Sequence, residues 1–522
     1  MKKIYYNGYF ITMGNFNIEA ILVQDGLIKK IGTKDYILSL KDSNTTLINL
    51  KGKTMMPSFI DAHSHFSGVA NNFLKADLQN CNNFKEIQNE LINFKFKNNI
   101  PDGFWISACG YDENQLKEKK HPMKEIIDEV LPNNPVILQH VSGHSGVFNS
   151  KALEILDINN DISTDNGVIE KNNGILTGYM EETPFIEYQK KVPSPTFDKL
   201  LFAYKKAQEK YLSYGITTIQ DGMAYPNMIS IYKELIKKNI LNIDLVSYIS
   251  PNDKEIFFNN FQENIRKYNN HFKIGGYKIF LDGSPQMKTA WMRTPYLGTN
   301  NYYGYPTMTN LDINNSIKIS LETNMQLLAH CNGDAAVNQY IQCIKLYEDK
   351  LKNIRPVMIH AQLLGIDQIK YLKKYNIIPS FFISHVFYWG DTHIKNFGYE
   401  RASQISPANS TLKNNILFTF HQDSPVIEPN MFETIWCAIN RITKQGVTLG
   451  HNEKISVQDA IKAVTINSAY QYFEENSKGS IKEGKIANLI IVDKNPFLTD
   501  VNDIKNIKVL ETISNGLTLY KQ

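Results

Sequence analysis

The segment Phe59-Ile60-Asp61-Ala62-His63-Ser64-His65 ends an apolar run with two histidines one residue apart. Side chains alternate faces along a strand, so His63 and His65 point the same way and can grip one cation. Standing alone, His-x-His is commonplace and reads as two polar loop residues. Here it has company. His330 follows the apolar run Gln326–Ala329, His360 follows Pro356–Ile359, Asp423 follows Ile416–Phe420, and Lys278 lies inside Tyr277–Leu281. Each singly is explained as well by capping or packing. Together, at the ends of successive apolar runs, they point to one site. Neutral imidazole suits zinc and neighbouring transition ions, with bonds of about 2.0–2.1 Å. Such an ion lowers the pKa of a bound water from about 15.7 to about 7. Asp423 is the candidate catalytic residue, taking a proton from that water and delivering it to the leaving group. Lys278 is harder to place, because a buried lysine is costly unless paired and an ammonium cannot bind a cation. It pairs with Asp282, reaches solvent, or is modified.

These residues need elements to hold them. Ten short apolar runs alternate with helical stretches: Met55–Ala62, Trp105–Cys109, Val136–His140, Thr217–Gln220, Ile243–Ile249, Tyr277–Leu281, Gln326–Ala329, Pro356–Ile359, Ile377–Phe382 and Ile416–Phe420. The alternation predicts an α/β fold, a (β/α)8 TIM barrel, whose chemistry lies at the C-terminal rim of its strands. A barrel needs eight strands, so part of the Trp105–Met180 region is expected to be an insertion. No glycine-rich phosphate loop follows any strand, which disfavours an open doubly wound sheet. The first fifty residues read instead as small strands and turns (Lys3–Tyr6, Phe10–Met13, Ala20–Gln24, Ile28–Ile31, Thr46–Asn49). The chain's end returns to that style, with Ala487–Asp493 and then Val509–Ser514 and Leu517–Tyr520 joined by Asn515-Gly516, a strong hairpin signal. The expectation is a small β-sandwich domain formed by both termini, residues 1–56 plus 455–522, with a barrel over 57–454 carrying an insertion around 105–180.

Composition narrows the function classes. The 522 residues carry 56 Lys+Arg against 52 Asp+Glu, a net charge of +4, with no dense basic stripe for nucleic acid. No eighteen-residue apolar stretch spans a membrane, and no apolar segment follows the basic start, so a cytoplasmic location without a signal peptide is expected. Five scattered cysteines with no Cys-x-x-Cys pair argue against a disulfide framework or a thiolate zinc cluster. The expected partner is a small-molecule substrate, with no nucleic acid and no membrane; self-association into a homo-oligomer stays open.

At this point the chain resembles the amidohydrolase superfamily, in the branch that includes N-substituted formamide deformylases. Met56 to His65 looks like the family's first-strand motif, with Ser58 where glycine is usual. Tyr277 to Ser284 looks like its lysine motif; His330-Cys331-Asn332-Gly333-Asp334 and His360-Ala361-Gln362 look like its later histidine motifs. His421-Gln422-Asp423-Ser424-Pro425-Val426 matches its aspartate motif loosely, and Gly484 to Leu489 resembles its C-terminal signature, with Asn488 where aspartate is usual. The resemblance implies a metal site of His63, His65, Lys278, His330, His360 and Asp423. It holds one or two divalent ions, zinc first, with Lys278 carboxylated as an anionic bridge. Gly143 to Leu153 and Ser384 to Asp391 are similar to segments of this branch, which makes His144, His385, Tyr388 and Trp389 candidate substrate-binding residues. Packing within the barrel is an equal reading for Tyr388 and Trp389. His121, His140, His271, His393 and His451 lack such context and are expected to be structural or exposed.

The leading functional reading is hydrolysis of a C–N bond in an amide, formamide or related small molecule. A deaminase or an ester hydrolase would use the same parts. A non-catalytic metal-bound sensor or regulatory protein on this scaffold is a different class; it would have no need to keep Asp423.

Overall fold

The computed structural model describes residues 2–14, 18–164 and 167–522. They form two compact units, residues 1–67 with 207–522, and residues 68–206.

In the first unit, eight strands form one parallel sheet in chain order: Phe59–Ile60, Ile216–Ala224, Asp244–Ile249, Phe272–Phe280, Gln326–Cys331, Val357–His360, Ile378–Phe381 and Thr419–Phe420. They read as apolar runs because a parallel sheet covered by helices is buried on both faces. Just beyond the first and last strands, the amide of His65 donates to the Ser424 carbonyl at 2.7 Å and the amide of Asp423 to the His63 carbonyl at 3.2 Å. The curled sheet, with its ends joined there, fits a (β/α)8 barrel. Local signals set the helices between strands. Thr309 and Asp312 form a reciprocal capping box that starts helix Asn310–Thr323, and Asn324 ends it in the left-handed conformation at φ 51°.

Eight of the ten expected runs contribute barrel strands. The other two, Trp105–Cys109 and Val136–His140, lie in the second unit, as strands Ile106–Tyr111 and Val136–His140 of a six-stranded sheet. The insertion expected around 105–180 falls inside this unit, which also takes in residues 68–104 and 181–206. The run Met55–Ala62 is divided. Thr54–Pro57 pairs antiparallel with Leu489–Val492, and only Phe59–Ile60 enters the barrel.

Both chain ends meet in a five-stranded sheet of Tyr9–Phe10, Thr54–Pro57, Leu489–Val492, Val509–Ser514 and Leu517–Lys521. Asn515 and Gly516 turn the last hairpin with φ of 50° and 74°, the left-handed pair such a tight turn demands. A four-stranded sheet of Lys2–Tyr6, Ala20–Gln24, Leu27–Gly32 and Thr45–Asn49 shares an apolar cluster with it, including Tyr5, Ile21, Val23, Met55, Leu489, Ile491 and Ile513. Residues 455–522 do not all belong there, however. Helices Val457–Ala463 and Ile466–Gln471, with Tyr472, pack against the barrel instead. The reason is a set of buried hydrogen bonds: Gln471 donates to the Ala62 carbonyl at 2.8 Å and accepts from Thr419 at 2.8 Å. All five cysteines are free, and among the described residues no helix is long and apolar enough to cross a membrane.

Where the barrel strands begin, a buried ionic cluster fastens this C-terminal segment to the floor. Glu474 pairs with both Lys273 and Lys478, and Lys478 also meets Asp244 at 2.5 Å. Asp244 in turn meets His271 Nδ1 at 2.7 Å, and the Tyr268 ring lies 4.5 Å from each ammonium. Removing one member leaves unmatched buried charge, so Glu474→Ala should destabilise the fold by about 3–5 kcal/mol in urea denaturation. Burial alone would raise the Asp244 carboxyl, but the Lys478 ammonium and then His271 outweigh it and pull it down to about 2. A folded value below the unfolded value of about 3.9 means stability that is present above that pH and lost as pH falls toward about 2. Urea midpoints measured between pH 6 and pH 2 should therefore fall less steeply at the acid end in Asp244→Asn than in wild type.

Candidate metal centre

His63 is fully buried and His65 about a third exposed, both beyond the end of the first barrel strand. The His63 ring is held from behind. Its Nδ1 meets Gln220 Oε1 at 2.5 Å. A Cβ on Gly222 would lie 2.4 Å from His63 Cε1, so only glycine lets the second strand pass this ring. On the front, His63 Nε2 faces Lys278 Nζ at 2.8 Å and Asp423 Oδ1 at 3.3 Å. His65 Nε2 lies 3.3 Å from the same Asp423 oxygen.

From the fifth and sixth strands come His330 and His360, with His330 Nδ1 and His360 Nε2 3.1 Å apart. His360 Nε2 lies 4.0 Å from Asp423 Oδ2. Behind His360 runs a chain, His360 Nδ1 to His421 Nε2 at 3.1 Å and His421 Nδ1 to Ser380 Oγ at 2.9 Å. The backbone is left-handed at His360 (φ 69°), Ala361 (46°) and Asp423 (57°), a conformation costly for residues with a Cβ and typical of functional sites.

Burial sets the charge states. It pushes His63 down to about 4 and His330 to about 3, and His360 well below the usual histidine value, so the imidazoles are neutral with lone pairs available. Burial would raise Asp423, but the imidazoles of His63 and then His65 beside it hold its carboxyl well below the usual range. Burial draws Lys278 down to about 7 against the opposing pull of Asp423. Asp282 is not its partner: that carboxylate accepts backbone amides of Asn332, Gly333 and Trp291 at 2.7–3.0 Å.

The donor set fits a divalent cation. Asp423 Oδ1 is buried and completes no hydrogen bond, although two imidazole nitrogens stand 3.3 Å from it. Ligand atoms of His63, His360 and Asp423 lie within 4.8 Å of one another. Imidazole and carboxylate are the donors that zinc-like ions take at about 2.0–2.2 Å, which in a tetrahedral site sets neighbouring ligand atoms about 3.4 Å apart. Asp112, Glu113 and His140, in the second unit, also lie close together. There the Ser142 amide donates to His140 Nδ1 at 3.1 Å, which puts the neutral ring's proton on Nε2, 2.7 Å from Glu113. A protonated nitrogen has no lone pair for a metal, so this group reads as a His140–Glu113 pair 2.7 Å apart.

The remaining candidates divide. His385 is buried at the start of helix His385–Phe397, against Phe382, which also contacts His421. Trp389 packs on His385 with ring centres 4.5 Å apart, and Tyr388, under Lys444, is half-buried. His144 belongs to the second unit, where it is exposed and faces Glu182 at 3.3 Å. Of the histidines expected to be structural or exposed, His271 pairs with Asp244, His121 stacks on Tyr179, His393 stacks on His385 and His451 is exposed. Sequence reasoning missed Gln220, Gly222, Ser380 and Tyr472, and left His421 outside the site. Gln220 alone carried a signal, as the polar residue ending the run Thr217–Gln220.

Comparison with known proteins matches residues 46–520 to a model described as the amidohydrolase family. The chain is 25% identical, over the whole of both chains, to a protein named amidohydrolase YtcJ from Bacillus subtilis (strain 168). It is 23% identical to N-substituted formamide deformylase from Arthrobacter pascens, over 97% of this chain and 95% of the relative. The crystal structure of an uncharacterized metal-dependent hydrolase from Pyrococcus furiosus superposes with a TM-score of 0.77 at 22% identity, over 95% of this chain and 100% of that one.

If the five donors share an ion, His63→Ala, His65→Ala and His330→Ala should each bind zinc more than about 100-fold more weakly, a larger loss than outlying partners cause. Elemental analysis after zinc loading checks this, with circular dichroism confirming that each variant still folds. Full metal content in these variants would mean that other residues hold the ion.

Proposed function

We propose, from the premise that the chain belongs to the amidohydrolase family, that it is a metal-dependent hydrolase cleaving a C–N bond of a small amide, formamide or related molecule. The observation that carries the reading is the buried, unsatisfied Asp423 Oδ1 flanked by His63 and His65 at 3.3 Å. His63, His65, His330, His360 and Asp423 would hold the cation, zinc first, as one or two ions. Lys278, with its value near 7, keeps part of its amine neutral at physiological pH. A neutral amine adds carbon dioxide, and the resulting carbamate would make Lys278 an anionic ligand beside His63.

When bound, the cation would supply Lewis acidity, making water acidic near pH 7 and polarising the scissile carbonyl. Asp423 is ionised at neutral pH and stands beside both first-strand histidines, so it can take the proton of the attacking water. It returns that proton to the nitrogen as the C–N bond breaks. His385 and Trp389, close to the His360–His421 chain, and Tyr388 are proposed to orient the substrate. Likeness to a relative named N-substituted formamide deformylase supports N-acyl amines as the first substrate class to try.

Metal-loaded protein screened against N-formyl and N-acyl amines, amino-acid derivatives and cyclic ureas should release amine from at least one class. On that substrate, Asp423→Asn should lower turnover about 10²–10⁴-fold while most of the metal remains, because an amide keeps the shape but cannot accept the water's proton. Turnover and metal content on one preparation separate the roles. Rate loss in step with metal loss would make Asp423 chiefly a ligand; near wild-type turnover with full metal would remove it from the mechanism.

A further inference from the structure

We propose that Gln220 and Tyr472 are positioning residues that hold His63 in one tautomer, with the proton on Nδ1, so that its Nε2 lone pair is committed to the metal. The inference rests on the reading of His63 as a ligand.

The tautomer follows from the partners of Gln220. Its side chain is fully buried, and its Nε2 donates to the Ala62 carbonyl at 3.0 Å and to the Tyr472 hydroxyl at 2.9 Å. A carbonyl only accepts, so the amide nitrogen must face Ala62 and Oε1 must face His63. The Tyr472 hydroxyl spends its own proton on the Asp61 carbonyl at 2.7 Å, which leaves it an acceptor toward Gln220. Every donor in this chain is thus assigned, and Gln220 Oε1 can only accept from His63 Nδ1 at 2.5 Å.

Tyr472 ties this arrangement to the barrel floor. It follows helix Ile466–Gln471 and lies two residues before Glu474, the centre of the ionic cluster. A cavity of about 510 Å³ lined by Tyr472, Lys273, Glu474 and Lys478 lies there. The hydrogen bonds from the Tyr472 hydroxyl through Gln220 to His63 therefore start from a residue anchored beside the floor cluster. Partners of this kind fix ring orientation and raise the basicity of the coordinating nitrogen, and losing one typically costs about 10–100-fold in metal affinity.

The test is zinc affinity by chelator competition, with the absorption spectrum of the cobalt-loaded protein, for wild type, His63→Ala, Gln220→Leu and Tyr472→Phe. The melting temperature of each metal-free protein is measured alongside. Gln220→Leu should bind zinc about 10–100-fold more weakly and shift the cobalt bands, and Tyr472→Phe should show a smaller change in the same direction. Nitrogen-15 spectra of the metal-free wild type should show the Nδ1–H form of His63, and this signal should be lost or mixed in Gln220→Leu. Should Gln220→Leu fail to fold, Tyr472→Phe and the wild-type tautomer carry the test. The proposal is overturned if His63→Ala loses zinc while the Gln220 and Tyr472 variants bind it like wild type with an unchanged spectrum. It is equally overturned if the wild-type ring carries its proton on Nε2, or if affinity merely follows the melting temperature. If wild type itself binds no zinc, the reading of the site fails and takes this inference with it.

Discussion

Two backbone hydrogen bonds, Asp423 N–H to the His63 carbonyl and His65 N–H to the Ser424 carbonyl, join the end of the first barrel strand to the end of the last. About 360 residues of chain separate the two segments, and the site exists only where they meet. These bonds bring the Asp423 carboxylate to 3.3 Å from both His63 Nε2 and His65 Nε2. The left-handed backbone at Asp423 turns its side chain inward, and the pairing of both flanking segments offsets the cost. His330 and His360 stand one residue out of register on neighbouring strands, His330 opposite Ile359 and His360 opposite Cys331, and with the backbone left-handed at His360 (φ 69°) their rings meet at 3.1 Å.

The barrel separates its tasks along its axis. Where the strands begin, charges are matched: Lys273, Lys478, Glu474 and Asp244 neutralise one another and fasten the C-terminal segment. Where the strands end, donors are gathered without such matching, and Asp423 Oδ1 is left unsatisfied in the interior. Buried polar groups are ordinarily hydrogen-bonded, so an exception of this kind calls for a further partner such as a cation. Tyr472 and Gln220 run between the two regions. Rigidity built at the floor is thereby available to the rim, where chemistry on this fold takes place.

Much of this was legible in the sequence because it follows from local pattern. The apolar runs that end in His330, His360 and the Asp423 segment are barrel strands, and Asn515-Gly516 turns the last hairpin. Periodicity could not assign strands to sheets. Val136–His140 has the same apolar pattern as a barrel strand, yet pairs in a different sheet, a choice decided by contacts far along the chain. The division of Met55–Ala62 between two sheets was hidden for the same reason. So was the role of residues 457–472, whose apolar and amide side chains fit a barrel floor and a small β-domain equally well on pattern alone. Within the site, His and Asp announced themselves by type. Gln220, Ser380 and Tyr472 did not, since each matters only through the ring or carbonyl it touches, and no spacing rule connects Tyr472 with Ala62.

The most direct test is a crystal structure of zinc-loaded protein with diffraction data on both sides of the zinc absorption edge. The account predicts an anomalous peak enclosed by His63 Nε2, His65 Nε2, His330 Nδ1, His360 Nε2 and Asp423, with Gln220 Oε1 still on His63 Nδ1. An anomalous map with no peak among these donors, or with zinc bound only elsewhere, would contradict it.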